Sequence, residues 1–346
     1  MSHFTVMVRV SPELASAHDG NINAAVTAML APYQANNMGD CPRQYLTFYD
    51  QETEYLEEYE TGSVEMVEIE DGTRVWPWDE RFRVPGTFGL GGSTHAPPAH
   101  LKRVQVPHKE RYPTFDEFCS DYHSSRRDPE KGRHGYWENP NKKWDWWVIG
   151  GRWTGFFPVK AGAEIRIGKP GAFSSPPDQG HSDIVRIGEI DFDAIAKKTR
   201  EHIERFWEEW QRFLAGERFR SFDSPRGLAL EIGLLEVRQG PPLPGEETRA
   251  IPWAGRVPES DTRSGWHDVY REVRLDELFT EWADCFIPIS TYAVLDETGW
   301  HEPGRMGWFG ISHATADSYR KHKREFMRWL RSSPGDAWLV VVDCHI

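Results

Sequence analysis

The chain has little cysteine. Cys41, Cys119, Cys285 and Cys344 are the only four in 346 residues, and none forms a CxxC pair. Such spacing supports neither a zinc knuckle nor a disulfide framework, and it reads as buried free thiols in a reducing compartment. Long apolar runs are missing as well. No stretch approaches the roughly 18 to 20 residues that span a bilayer, and the opening MSHFTVMVRV lacks the basic flank of a signal peptide. A cytoplasmic protein with no membrane partner is the expectation. Basic excess is also absent: the formal charge is −13, so neither a surface built to neutralise phosphate nor a nucleic acid partner is expected. No GxxxxGK[ST], GxGxxG, GxSxG or HExxH string occurs, which removes the common nucleotide-loop, hydrolase and zinc-protease signatures. The loop histidines His95, His100, His108, His123 and His134 show no HxH or i,i+4 spacing, and no internal repeat is visible.

Tryptophan is abundant instead. There are sixteen, clustered at Trp76 and Trp78, between Trp137 and Trp153, at Trp207 and Trp210, and at Trp300 and Trp308. Large aromatics contribute much buried area per residue, so a core built from loop-rich structure accounts for many of them. An aromatic wall that stacks on a planar ligand is the functional alternative. Basic residues gather at Arg126, Arg127, Lys131 and Arg133, and again at Arg320, Lys321, Lys323, Arg324 and Arg328. The second group reads as the solvated face of a helix.

Periodicity outlines the fold. Phe4, Val6, Val8 and Val10 alternate with His3, Thr5, Met7 and Arg9, the pattern of a half-buried strand. Trp338 to Ile346 closes the chain with a second, β-branched strand. Amphipathic patterns predict a long helix over about 193–216 and another over about 317–330, and Thr114 with Glu117 marks a capping box. Asp71-Gly72 predicts a hairpin with a type I′ turn, and 228–237 reads as a buried strand. The expectation is α+β: one elaborated domain over 1–346 around a central antiparallel or mixed sheet. A strand at one end and a helix–strand unit at the other suggest a ferredoxin-like core with the first and last strands adjacent. Unpatterned Gly/Pro-rich stretches place loop insertions near 85–113, 168–180 and 240–263.

Two constellations carry chemistry. In WDWWVIGGRWTGFF, Gly150-Gly151 reads as a tight hairpin turn, with Arg152 and Trp153 directly after it. A guanidinium offers bidentate donors to phosphate or carboxylate, and indoles offer stacking faces. Trp144, Asp145, Trp146, Gly150, Gly151, Arg152, Trp153 and Trp308 are therefore the candidate residues of a site for a small anionic, nucleotide-like ligand. An aromatic ladder with Arg152 stacked or paired with Asp145 is the structural alternative. The second constellation is Asp343 and His345, two apart on one face of the last strand. Antiparallel pairing of the chain ends brings His3 within reach of both. Two imidazoles and a carboxylate suit acid–base catalysis or a divalent metal, the one cofactor these residues suggest. A hydrogen-bonded polar plug at the sheet end is the structural alternative. The segment Trp300-His301-Glu302 through Trp308 is a third, weaker candidate for lining a cleft.

The strings MSHFTVMV, ENPNKKWDWWVIGGRWTGFF and VVDCHI together resemble a family of uncharacterised proteins encoded by bacteriophages and prophages. The resemblance covers both ends and the middle of the chain. It implies a phage or mobile-element setting inside a bacterial host and a shared motif set of His3, Trp144, Asp145, Trp146, Gly150, Gly151, Arg152, Trp153, Gly307, Trp308, Asp343 and His345. It implies no particular activity. Three functions are compatible with these readings. One is a binder of a small nucleotide-like anion; another is a metal-dependent hydrolase or nuclease using His3, Asp343 and His345. The third is an acidic interaction or inhibitor protein acting on a host protein.

Overall fold

His3–Val10 and Trp338–His345, eight residues each, lie antiparallel along their whole length, with His3 opposite His345 and Val10 opposite Trp338. They are the centre of a seven-stranded mixed sheet. The computed structural model describes residues 2–85, 93–172, 174–217, 219, 225–241, 243–245, 250–252, 266–307 and 311–346. Two compact units form, one of Met1–Asp40 with Asn141–Ile346 and one of Cys41–Pro140.

In the first unit the opening strand pairs on its other side with Ala293–Asp296, in parallel, and that strand turns back into Gly299–His301. The adjacency of first and last strands is therefore present, and the chain is α+β. The strand parallel to the first is the leading arm of its hairpin, whereas a ferredoxin-like sheet uses the trailing arm. The free edge of the last strand is shared end to end by two short strands. Trp146–Gly151 pairs with its final part, from Ile149 opposite Val342 to Trp146 opposite His345. Ile184–Arg186 pairs with Val340 back to Trp338. At the seam between them Val341 donates its N–H to the carbonyl of Asp183, at 3.0 Å.

Alternation decides what each face buries, because neighbouring side chains on a strand point to opposite sides. Phe4, Val6, Val8 and Val10 join Val340, Val342 and Cys344 under the helix Ile22–Leu30. That helix is started by Asn21, whose side chain accepts from the Ala24 N–H. On the opposite face Met7, Leu339 and Val341 pack against Phe326, Met327 and Leu330 of the helix Ala316–Ser332. Thr315 caps this helix, and most of its cations are paired, Arg320 with Asp317, Lys321 with Glu325 and Lys323 with Glu231. The predicted long helix is Phe192–Leu214, and its Ile203, Phe206 and Trp210 build a third cluster with Ile232, Leu278 and Trp282.

Several local expectations are corrected. The stretch 228–237 is a helix, Pro225–Ile232, followed by a strand, Leu235–Gln239. A short apolar run fits either structure, and here Ala229 and Ile232, three apart, share the buried side of the helix. In the second unit, the part of 85–113 that is described is not loop throughout. Lys102–Pro107 pairs with Ser63–Glu68, which also pairs with Arg74–Val75. The hairpin at Asp71-Gly72 exists, but only Gly72 has positive φ, at +82°. A type I′ turn needs it at both positions; here Asp71 instead accepts the Thr73 N–H through its side chain. The capping box Thr114–Glu117 does start a helix, Phe115–Tyr122, whose Phe118 and Cys119 pack with Tyr112 in a small core. Most of 240–263 lies outside the described residues.

Candidate functional site

Towards its end near His3 the second face of the sheet changes from apolar to polar. Met7, Leu339 and Val341 give way to His3, Asp343 and His345, because the register that places His3 opposite His345 puts their side chains on one face. Trp146, opposite His345 on the next strand, points the same way. The rings meet accordingly. His3 and His345 lie edge to face with centroids 5.1 Å apart, Trp146 is stacked on His345 at 5.0 Å and 13°, and it meets His3 edge-on at 5.2 Å. Trp146 is 44% exposed while His345 is only 5% exposed, so the indole covers the imidazole from the solvent side.

Each imidazole is held by its own carboxylate. Asp343 Oδ1 is 2.7 Å from His3 Nδ1, and Asp145 Oδ1 is 2.7 Å from His345 Nδ1. An ionised carboxylate can only accept, so Nδ1 carries the hydrogen in both rings, and in the neutral ring Nε2 becomes the free base. His345 Nε2 is buried and has no hydrogen-bond partner. A buried polar atom left in that state costs on the order of 1 to 3 kcal/mol, so an ordered water or a ligand atom is the partner expected there.

The rest of the site is backbone. Asp343 Oδ2 accepts the Arg152 N–H at 2.9 Å. Arg152 is exposed, and its guanidinium makes no hydrogen bond or ion pair among the described residues. Gly150-Gly151 is not a hairpin turn, which corrects the sequence expectation. Both glycines are ladder residues, opposite Lys169 and Pro170 of a short parallel strand. The chain after Arg152 does not run back alongside; Phe157–Pro158 pairs with His181–Ser182 in a separate two-stranded sheet. Their positive φ values, +77° and +59°, serve close approach. A Cβ on Gly150 would lie 2.5 Å from Asp183 Oδ2, and one on Gly151 would lie 2.3 Å from Asp343 Oδ2.

Asp183 belongs to no sequence motif. It sits at the seam of the two edge strands, where its side chain accepts from the N–H groups of Gly155, Phe156 and Gly168. Burial pushes its carboxyl up, against the lowering effect of those three N–H groups. Its partners come from irregular chain with no period, so only the loop glycines Gly155 and Gly168 hinted at a buried acceptor.

Other candidates lie elsewhere. Trp144 is buried in the opposite face's cluster, its Nε1 donating to the Leu30 carbonyl at 3.2 Å. Trp153 is half-buried against the cluster under Ala316–Ser332. Trp300 packs with Phe4 on the face away from the histidines, and its Nε1 donates to Glu302. Trp308 lies outside the described residues. Among the described residues no group of three or more His, Cys, Asp or Glu side chains is placed to hold a metal ion; both Nδ1 atoms are already engaged, which leaves the pair two nitrogen donors. No described helix is long and apolar enough to cross a membrane. Comparison with family models, with curated proteins and with solved structures finds no match.

Proposed function

We propose that this protein binds a small, planar, anionic ligand of nucleotide-like chemistry at the sheet end formed by His3, His345, Trp146 and Arg152. An accessory role for a phage or mobile element, inside its bacterial host, belongs to the same proposal and rests on the three shared strings. The reading is supported by Trp146, a half-exposed indole stacked on His345, and by Arg152, an exposed and unpaired guanidinium whose backbone N–H shares Asp343 with His3. Indole stacking recognises a base, and the guanidinium fork recognises a phosphate. A net charge of −13 repels anions at long range, so a small ligand that reaches the local positive group is favoured over a polynucleotide.

Calorimetric titration with a panel of mononucleotides and cyclic nucleotides tests this. Wild type should bind at least one. Arg152→Ala should lose about 10- to 100-fold in affinity, the worth of a charge-assisted hydrogen bond, and Trp146→Ala should lose about 5- to 100-fold through the stack. No binding by wild type, or unchanged affinity in a stably folded Arg152→Ala, refutes the reading.

A second reading, hydrolysis by His3, Asp343 and His345, is favoured by the two carboxylate–imidazole pairs. Their geometry supports it as acid–base chemistry rather than as metal ligation.

A further inference from the structure

We infer that the His3–His345 pair is a metal-independent acid–base couple for cleaving a phosphodiester that carries its own neighbouring hydroxyl, as a ribonucleotide does; this rests on the anion-binding reading above. Four observations lead there. Two imidazoles from adjacent strands meet edge to face with centroids 5.1 Å apart. Each has its Nδ1 fixed by a carboxylate, which presents Nε2 as the working nitrogen in both rings. Imidazole is the commonest general acid and base in proteins, so two in contact can supply both roles. Finally, His345 Nε2 has no protein partner, and Trp146, which covers the ring, is itself half-exposed, so a shift of that indole would let a substrate oxygen reach the nitrogen.

Among the described residues no hydroxyl or thiol side chain is hydrogen-bonded to either imidazole. Cys344, next to both pairs in sequence, is fully buried on the opposite face, and burial drives its thiol well above the ordinary value. Thr5 Oγ1 accepts the Tyr292 N–H. In the proposed reaction the attacking oxygen is the substrate's own neighbouring hydroxyl. In the step that balances, the neutral imidazole takes the proton of the 2′-hydroxyl and O2′ forms a bond to phosphorus. The P–O5′ bond breaks, and the other, protonated imidazole delivers its proton to the departing O5′. The products are a 2′,3′-cyclic phosphate and a 5′-hydroxyl, and the two rings end with their protons exchanged. Arg152 offsets the charge gathering on the phosphoryl oxygens.

The experiment uses the full chain in excess EDTA with a ribodinucleoside monophosphate, its 2′-deoxy counterpart as control, and chromatography for the cyclic phosphate. Expected is cleavage of the ribo substrate alone, with a rate that rises and then falls with pH, as a couple of one base and one acid requires. His3→Gln and His345→Gln should each lower the rate about 100-fold or more, the usual worth of one acid–base group. The wild-type pH profile needs no variant and stands if either fails to fold. Absence of cleavage, a rate that needs divalent metal, a profile with only one limb, or cleavage unaffected in both variants overturns the inference. Calorimetry with the uncleavable deoxy control separates the two proposals. Binding without ribo cleavage sinks only this one, whereas absence of binding sinks the anion site.

Discussion

Replacing Gly151 with alanine should damage the fold and the site together, by more than its backbone angle alone accounts for. At φ +59° an L side chain carries a left-handed penalty of about 1 to 2 kcal/mol. The added methyl would also lie 2.3 Å from both Cβ and Oδ2 of Asp343, a distance that forces the carboxylate or the strand to move. Asp343 is 1% exposed and accepts from Arg152 N–H and His3 Nδ1. Losing one hydrogen bond to a buried charged group adds about 1.5 to 3 kcal/mol. The expected total is about 3 to 5 kcal/mol, from strain and the lost bond. Gly162→Ala is the matched control: Gly162 has φ +87°, nothing lies within 4 Å of the place its methyl would take, and the change should cost only the strain. Urea denaturation of both variants, compared through midpoint and slope, measures the difference. Equal destabilisation in the two would refute the claim that Gly151 exists to admit Asp343.

Three further outcomes follow from the same geometry. Burial holds the Asp183 carboxyl above its ordinary value, so the native state retains a proton that the unfolded chain has released. The resulting stability is complete below the ordinary carboxylate value and is lost as pH rises through the raised one. The advantage of wild type over Asp183→Asn in urea should therefore shrink with rising pH across that window, and a constant or growing advantage contradicts the assignment. All four cysteines are buried, with burial pushing Cys119 up to about 12 and Cys285 and Cys344 also upward. A thiol reagent at neutral pH should label none of them in the folded protein and all four in denaturant, as read by mass spectrometry. Trp144→Phe, which removes the buried Nε1–H bond to the Leu30 carbonyl, should cost about 0.5 to 1.5 kcal/mol. Trp146→Ala, at a half-exposed position, should cost under about 1 kcal/mol in the same urea denaturation.

What was legible in the sequence is what depends on period. The alternation from His3 to Val10 and the β-branched close at Trp338–His345 specify strands, and two strands of eight residues paired end to end bring His3 opposite His345. The helices at Phe192–Leu214 and Ala316–Ser332 carry the 3.6-residue period with little ambiguity. What was not legible depends on partners distant in the chain. A Gly-Gly pair between two aromatic stretches has the same local signature whether it reverses the chain or lets a carboxylate approach; Asp183 and Asp343, which decide the matter, lie 33 and 192 positions beyond Gly150 and Gly151. Lys102–Pro107 looked like loop because its strand character is supplied by pairing with Ser63–Glu68.

The site and the core have one specification, and this gives the register of the last strand its force. A slip of one residue against His3–Val10 would turn every side chain of that strand to the other face. Asp343 and His345 would then enter the cluster of Phe4, Val6 and Trp144, while Val342 and Cys344 would move to the polar end. Burying a charged carboxylate without its partners costs several kcal/mol, and exposing two apolar residues adds about 1.5 to 3 kcal/mol for a valine-sized side chain. The hydrophobic alternation that closes the sheet is thus what sets the two imidazoles ring to ring. A change that weakens that alternation, such as a polar residue in place of Val342, should perturb the histidine pair even though Val342 itself lies on the opposite face.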